Sequence, residues 1–452
     1  MVSLTNIISQ SPGVYVSEER SAAPIAGVGT STAGFIGIIT RIEEIGSAEH
    51  QVEIAAANAP DRKAKQTKFK LPHSNVMTDS GFGFFVDTAE IDNMKVKLTN
   101  EGSESFVTFT DPPAIDKLIK GFYRSNDFSA QICTNFTEFK TLFGDFIKGQ
   151  PNLLAHAVFG FFRNGGTRCY VVGVASDDEG AVEPALKQFE AIDEIAIVAA
   201  PGLQGVQKAV KEHCETMGDR VAILDPPETA KPNDAITALK PFDSDYAALY
   251  LPWLLVFDPA NPKTPRAVPP SGHMAGIYAR VDSQRGVFKA PANEVVAGAV
   301  GLAQSISKSQ QDGLNKDGIN CIRNFNGNIR VWGARTLGGD ANGEFKYIST
   351  RRLFNYLRES VDEGTQWTVF EPNSPELWAR IRRSVTAFLT VVWRSGALFG
   401  STPEEAFYVK CDAENNPPEQ RQLGLVVTDI GVAVVKPAEF VVFRLSQRQE
   451  GQ

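Results

Sequence analysis

IAIVAAPG (195–202), RVAILDPP (220–227) and ALYLPWLLVFDP (248–259) are apolar runs that each stop at a Gly or Pro turn. A strand with one wet face alternates apolar and polar side chains, whereas a strand buried on both faces reads as an unbroken apolar run. Between the first two runs lies VQKAVKEHCETMG (206–218), where Val206, Ala209, Val210 and Cys214 recur at i, i+3, i+4 and i+8. That spacing covers one face of a helix. Apolar strand, amphipathic helix and apolar strand in succession make a parallel βαβ unit. CYVVGV (169–174) adds another such strand upstream. Residues 126–290 are therefore expected to form an α/β domain around a two-faced sheet.

Outward from this centre the texture changes on both sides. The first 20 residues, MVSLTNIISQSPGVYVSEER, read as an extended arm, with VYVSE alternating like a strand that needs a sheet to join. A second strand is expected from Gly34 to Thr40, and residues 1–41 together are expected to join the C-terminal core. Residues 42–125 read as a β-rich insertion, with alternating segments such as MKVKLTN and SFVTFTDPP. Its run Arg62, Lys63, Lys65, Lys68 and Lys70 suits a solvated loop better than a contact with an acidic partner. Residues 291–452 read as an α+β core. Its clearest helix takes Ser374 as N-cap and Pro375 as first residue. Leu377, Trp378, Ile381, Val385, Phe388, Leu389 and Val392 form the apolar stripe, with Arg380, Arg383 and Arg394 on the polar side and Arg382 flanking. The chain is expected to close in strands QLGLVVTDI, GVAVVKP and PAEFVVFRLSQ.

Composition excludes several classes. With 452 residues, 42% hydrophobic and 22% charged, the chain is long enough for several domains and typical of globular proteins. Its 53 acidic against 45 basic side chains give a net charge of −8, which argues against a nucleic-acid footprint. Five scattered cysteines without a CxxC pair, and five histidines, predict no disulfide framework and no metal site. SAAPIAGVGTSTAGFIGIIT (21–40) is uncharged but rich in Gly, Ser and Thr, so a loop and buried strand fit it better than a membrane span. The first 17 residues lack a basic segment and an unbroken apolar core, so no signal peptide is expected and the protein is expected to be made and folded in the cytoplasm.

Catalytic signatures are incomplete. No Gly-Lys pair exists to form a phosphate loop, and GVGTSTAG (27–34) has Thr32 at the third glycine and precedes a strand, so no nucleotide cofactor is expected. GTSTA (29–33) and the segment around Ser271 each miss a glycine of the nucleophile elbow. Ser271 suits a turn or helix cap. Asp225 and Asp258 precede proline, where an Asx-type turn accounts for them. The competing enzyme reading is an α/β hydrolase-like protein with a convergent Ser/His/Asp site near 258–282.

Longer motifs carry a resemblance. LNKDGINCIRNFNGNIRVWGARTLGGD (314–340), FKYISTRRLFNYLRESVDEGTQWTVFEPNSPELWARI (345–381), GSTPEEAFYVKCD (400–412) and IGVAVVKPAEFVVFRLSQ (430–447) resemble the contractile tail sheath family of myophage tails, R-type bacteriocins and extracellular contractile injection systems. SGHMAGIYARVDSQRGVFKAPAN (271–293), SPGVYVSE (11–18), GVGTSTAGFIG (27–37), TNFTEFKTLFG (134–144) and HAVFGFFRNGGTRCYVVGV (156–174) agree upstream. Residues 42–125 fall outside the likeness, as a variable insertion on the outer surface would.

The resemblance implies a structural protein, not an enzyme. Its copies would stack as hexameric rings around an inner tube, with baseplate and terminal cap proteins as further partners and no nucleic acid or membrane insertion. It implies arms that add strands to neighbouring subunits, for which Val14, Tyr15 and Val16 and then Phe440, Val441, Val442 and Phe443 are the candidates. A metastable extended sheath that shortens downhill needs no ATP site. Arg380, Arg383 and Arg394 are the candidate contact with an acidic tube surface; Arg351, Arg352 and Arg358 are a second option.

Overall fold

The computed structural model describes residues 24–45, 51–52, 67–71, 76, 83–86, 89–90, 96–109, 119–124, 127–146, 152–234, 239–240 and 242–442. These divide into two compact units, one of residues 28–356 with 435–442, the other of 24–27 with 357–434.

The larger unit is built on one eight-stranded sheet. Its strands are β1 (Ala33–Ile38), β2 (Asp127–Cys133), β3 (Cys169–Val174), β4 (Ile197–Ala199), β5 (Val221–Leu224), β6 (Ala247–Leu251), β7 (Ile319–Phe325) and β8 (Asn328–Val331). They lie in the order β2-β3-β1-β4-β5-β6-β7-β8. The six central strands are parallel and the two edges antiparallel. Both faces are dry, and successive residues divide between them: Val221 and Ile223 enter one core, Ala222 and Leu224 the other. Helices α1 (Glu179–Glu190) and α2 (Gln207–Met217) supply Val182, Leu186, Phe189, Val210 and Cys214 to the second core.

Three placements differ from the sequence reading. β1 does not join a C-terminal core; it lies between β3 and β4 in the middle of the parallel sheet. Its apolar run AGFIGI suits that two-faced burial. ALYLPWLLVFDP is two strands, because Pro252 cannot donate to a ladder. β6 ends at Leu251, and Leu254–Asp258 joins a separate antiparallel sheet with Asn261–Val268 and Ala299–Leu302. Lys68 and Lys70 sit on strand Thr67–Leu71, not on a loop. Lys68 pairs with Glu101 at 2.6 Å, and Lys70 pairs with Glu104. Arg62, Lys63 and Lys65 lie outside the described residues. Between 40 and 124 the described strands form two four-stranded antiparallel sheets, the second with its own core of Phe69, Leu71, Val76, Val96, Leu98, Val107 and Phe109.

SGHMAGIYAR opens a helix, Ser271–Arg285, that is buried on almost every side. It packs on helix Leu153–Arg163 so closely that a Cβ at Gly272 would stand 2.4 Å from Ala157 Cα, and one at Gly276 would stand 2.4 Å from the Phe161 carbonyl oxygen. Glycine here lets backbone touch backbone. At the far end Asp282 receives both terminal nitrogens of Arg352, at 2.9 and 2.5 Å, and the Thr30 hydroxyl at 2.6 Å. Gly272→Ala is expected to lower stability by about 1–3 kcal/mol through overpacking. Gly313→Ala, facing open space within helix Lys308–Asn315, is expected to raise it by up to about 1 kcal/mol. Urea unfolding of the two variants checks the contrast, and equal effects would contradict the close packing.

Candidate functional site

In the smaller unit the dominant element is helix α3 (Pro375–Arg394). Ser374 caps it by accepting the Leu377 N–H, and Leu377, Trp378, Ile381, Val385, Phe388, Leu389 and Val392 are its buried residues, as the periodicity predicts. Arg380, Arg383 and Arg394 are all on its exposed side. They are not equivalent. Arg380 pairs with Glu371 at 3.3 Å and lies over the Trp367 ring at 4.5 Å. Arg383 and Arg394 make no ion pair with any described residue. Arg382 donates to the Cys411 carbonyl oxygen.

Of the second basic option, Arg358 is exposed while Arg351 and Arg352 turn inward. Arg351 is buried, pairs with Asp245 and stacks on Phe345 and Tyr246. Arg352 is buried against Asp282 and the Thr30 carbonyl. Neither guanidinium is available to a wet interface.

Next in the smaller unit comes a two-stranded antiparallel sheet of β9 (Phe407–Lys410) and β10 (Asp429–Val432). QLGLVVTDI is not one strand: a helix Pro418–Gln422 ends there, Gly424 turns with φ +76°, and pairing starts only at Asp429. With two strands, each has one strand neighbour and one edge that no other described strand pairs, though the Phe399 N–H donates to the Ala433 carbonyl just beyond β10. PAEFVVFRLSQ forms no strand within the described residues. Phe440, Val441 and Val442 are 72%, 68% and 79% exposed. A β-strand requires a partner edge, and these three residues have none among the described residues. Val14, Tyr15, Val16 and Phe443 lie outside the described residues.

The hydrolase candidates do not converge. Asp225 is not an Asx turn but a cap reached from 46 residues away. Its Oδ1 accepts the Ser271 N–H at 2.8 Å, and its Oδ2 accepts the Ser271 hydroxyl at 2.6 Å and the Gly202 N–H at 3.2 Å. The serine proton therefore goes to Asp225 and not to an imidazole. Asp258 does form the expected Asx turn, accepting the Ala260 N–H at 2.9 Å, and also pairs with Arg266 at 3.2 Å. His273 and His156 meet at a cavity of about 270 Å³ shared with Arg163, Phe159 and Val256. Burial pushes His156 down to about 4 and His273 to about 3, so both imidazoles are neutral near pH 7. Among the described residues no group of three or more His, Cys, Asp or Glu is placed to hold a metal, and no helix is long and apolar enough to cross a membrane.

Comparison with known proteins identifies the family. Residues 181–337 match the family described as phage tail sheath protein central domain, and residues 340–448 match the phage tail sheath C-terminal domain. The chain belongs to the phage tail sheath family. A prophage major tail sheath protein of Pseudomonas aeruginosa (strain UCBPP-PA14) is 26% identical over 258 residues, 55% of this chain and 64% of the relative. The tail sheath protein of Vibrio phage KVP40 is 29% identical over 182 residues, 39% of this chain and 26% of the relative. The chain thus spans less than two thirds of either curated relative. The sheath of the extracellular contractile injection system PVC, solved in its contracted state, is 25% identical with a TM-score of 0.66, covering 98% of this chain and 99% of that one. The C-terminal sheath match encloses α3, β9, β10 and Phe440–Val442.

Of two residues that matter, one was misread in the sequence and the other passed over. Asp225 was read locally because its partners are remote. Glu439, adjoining the arm, carried no motif of its own, and only its contacts reveal it.

Burial pushes the Asp225 carboxyl up to about 6 from 3.8, against hydrogen bonds from Ser271 and Gly202 that lower it. Between those values the folded chain holds a proton that the unfolded chain has released, so this group favours folding most below pH 4 and least above pH 6. The stability advantage of the native chain over Asp225→Asn is expected to shrink by up to about 3 kcal/mol from pH 4 to 7. Urea unfolding of both across that range checks it, and parallel curves would contradict the cap.

Proposed function

We propose that the chain is the structural subunit of a contractile sheath, in which copies linked by exchanged strands stack as hexameric rings around an inner tube. In this reading, passage from an extended to a contracted array ejects the tube. The observation that carries it is Phe440–Val442: three consecutive apolar residues, exposed and without a strand partner among the described residues, in a chain of the tail sheath family. Exposed apolar residues in an unladdered segment favour pairing with another chain, where backbone hydrogen bonds give affinity and alternating side chains give register. The open edges of β9 and β10 are edges of the kind such a strand pairs with. Val14–Val16 are proposed as the second arm.

Arg383 and Arg394 are the better candidates for a tube contact, because each still has its charge to give. Arg380, already engaged by Glu371, is the weakest of the three. Charge pairs at a wet surface hold register and release without deep burial. The strands between 40 and 124 are assigned to the outer surface, the baseplate and terminal cap proteins are further partners, and the bacterial cytoplasm is the place of assembly.

Full-length chain is expected to form hollow striated tubes in negative-stain electron micrographs, and chains lacking residues 1–20 or 440–452 only small particles. Tubes from both truncated chains would contradict strand exchange. Separately, Arg383→Glu with Arg394→Glu is expected to weaken binding to the inner tube at least tenfold, with Arg380→Glu changing it less. Co-sedimentation of assembled sheath with tube measures this, and an unchanged double variant would remove the helix from the tube contact.

A further inference from the structure

The C-terminal arm emerges from an anchored point. No backbone hydrogen bond joins residues 435–442 to another described residue. What holds their root is one side chain. Glu439 Oε1 accepts Arg335 Nε at 2.9 Å and Asn315 Nδ2 at 2.7 Å, and its Oε2 accepts Arg335 Nη2 at 2.9 Å and the Tyr347 hydroxyl at 2.8 Å. The carboxylate is thus gripped in a fork by one guanidinium and flanked by two neutral donors. Bidentate charge-assisted bonds of this kind fix orientation as well as distance.

Arg335 is itself immobilised. Its side chain is almost wholly buried, and its Nη1 donates to the Asn315 carbonyl at 2.8 Å and to Asp340 at 3.1 Å. Its backbone N–H donates to Asn320 Oδ1 at 2.8 Å, while Asn320 Nδ2 donates back to the Arg335 carbonyl at 2.8 Å. Asn320 is fully buried on β7. An unbroken polar path therefore runs from the central sheet through Asn320, Arg335 and Glu439 to Phe440. Burial raises the Glu439 carboxyl, but the bonds from Arg335, Asn315 and Tyr347 outweigh it and hold the group below its usual range, so it is charged near neutral pH.

We propose that Glu439 is the latch that fixes the root of the C-terminal arm to the sheet-bearing unit, a positioning residue that aims Phe440–Val442 at a second copy of this chain. The inference rests on the strand-exchange reading above. A half-buried ion pair is a poor source of net stability, since desolvation offsets much of its attraction, but it selects one arrangement over others. An arm held by a side chain can also swing at every residue beyond the latch while its root stays in place. That is what a subunit needs to remain linked while its interfaces repack.

The test is made on the full chain. Spin labels on cysteines introduced at Val441 and Lys308 report the spread of arm positions by pulsed dipolar spectroscopy, the five native cysteines being buried. Glu439→Gln keeps the shape but loses the charge. It is expected at least to double the width of the distance distribution and to slow sheath formation tenfold or more, with little change in melting temperature. Tyr347→Phe removes one donor and is expected to broaden the distribution by a smaller but measurable amount, which keeps the test decisive if Glu439→Gln fails to fold. A native-width distribution in the variants, or a broad one with native assembly, overturns the latch. Removal of residues 440–452 separates the two ideas: normal tubes from that chain overturn strand exchange by this arm, whatever the labels report.

Discussion

A parallel sheet must be covered on both faces, because its crossover helices occupy them and its strands have no polar side to show to water. That constraint organises the larger unit. It demands the continuous apolar runs of β1, β4, β5 and β6, and it demands helices close enough to exclude water. Gly272 and Gly276 answer the second demand by letting one helix touch another along its backbone. Asp225 then ties the N-terminus of that helix back to the segment following β5. The result is a rigid block within which Arg352–Asp282 and Arg351–Asp245 are internal ties.

Charge is used in two ways in this chain. Where guanidiniums are buried, they have several partners each: Arg335, Arg351 and Arg352 all meet a carboxylate and at least one further oxygen or aromatic ring. Breaking the ion pair of Arg351 or Arg352 strands a buried charge, a loss of about 3–5 kcal/mol, whereas Arg335 keeps Asp340 if Glu439 is lost. Where guanidiniums are exposed, as at Arg383 and Arg394, a pair is worth no more than about 1 kcal/mol and is screened by salt. For the sheath subunit proposed above, that division would place strong ties inside the block and weak ones at surfaces that rearrange.

Much of this was legible in the residues because the signals are local. The α3 stripe, its Ser374 cap and the buried strands all follow from spacing within a few residues. What was not legible is long-range. Nothing in AGFIGI says that it inserts between β3 and β4, since strand order is decided by partners more than 130 residues away. The basic residues at 351 and 352 read like those at 383 and 394, and only the fold shows which side chains turn inward. Ser271 and Asp225 are each ambiguous alone and become a cap only together. Glu439 lies 104 residues from Arg335, so no periodicity links them. Alternating patterning at 440–443 is legible, yet Phe440–Val442 form no strand among the described residues.

Strand exchange, as proposed, gives the terminal segment to a neighbour. Electron cryomicroscopy of the assembled polymer, at a resolution that traces the backbone, tests it directly. Strand exchange predicts Phe440–Val442 in a continuous backbone ladder with a strand of a different copy. The same residues folded back onto a sheet of their own subunit, or left in solvent within an intact polymer, would contradict it.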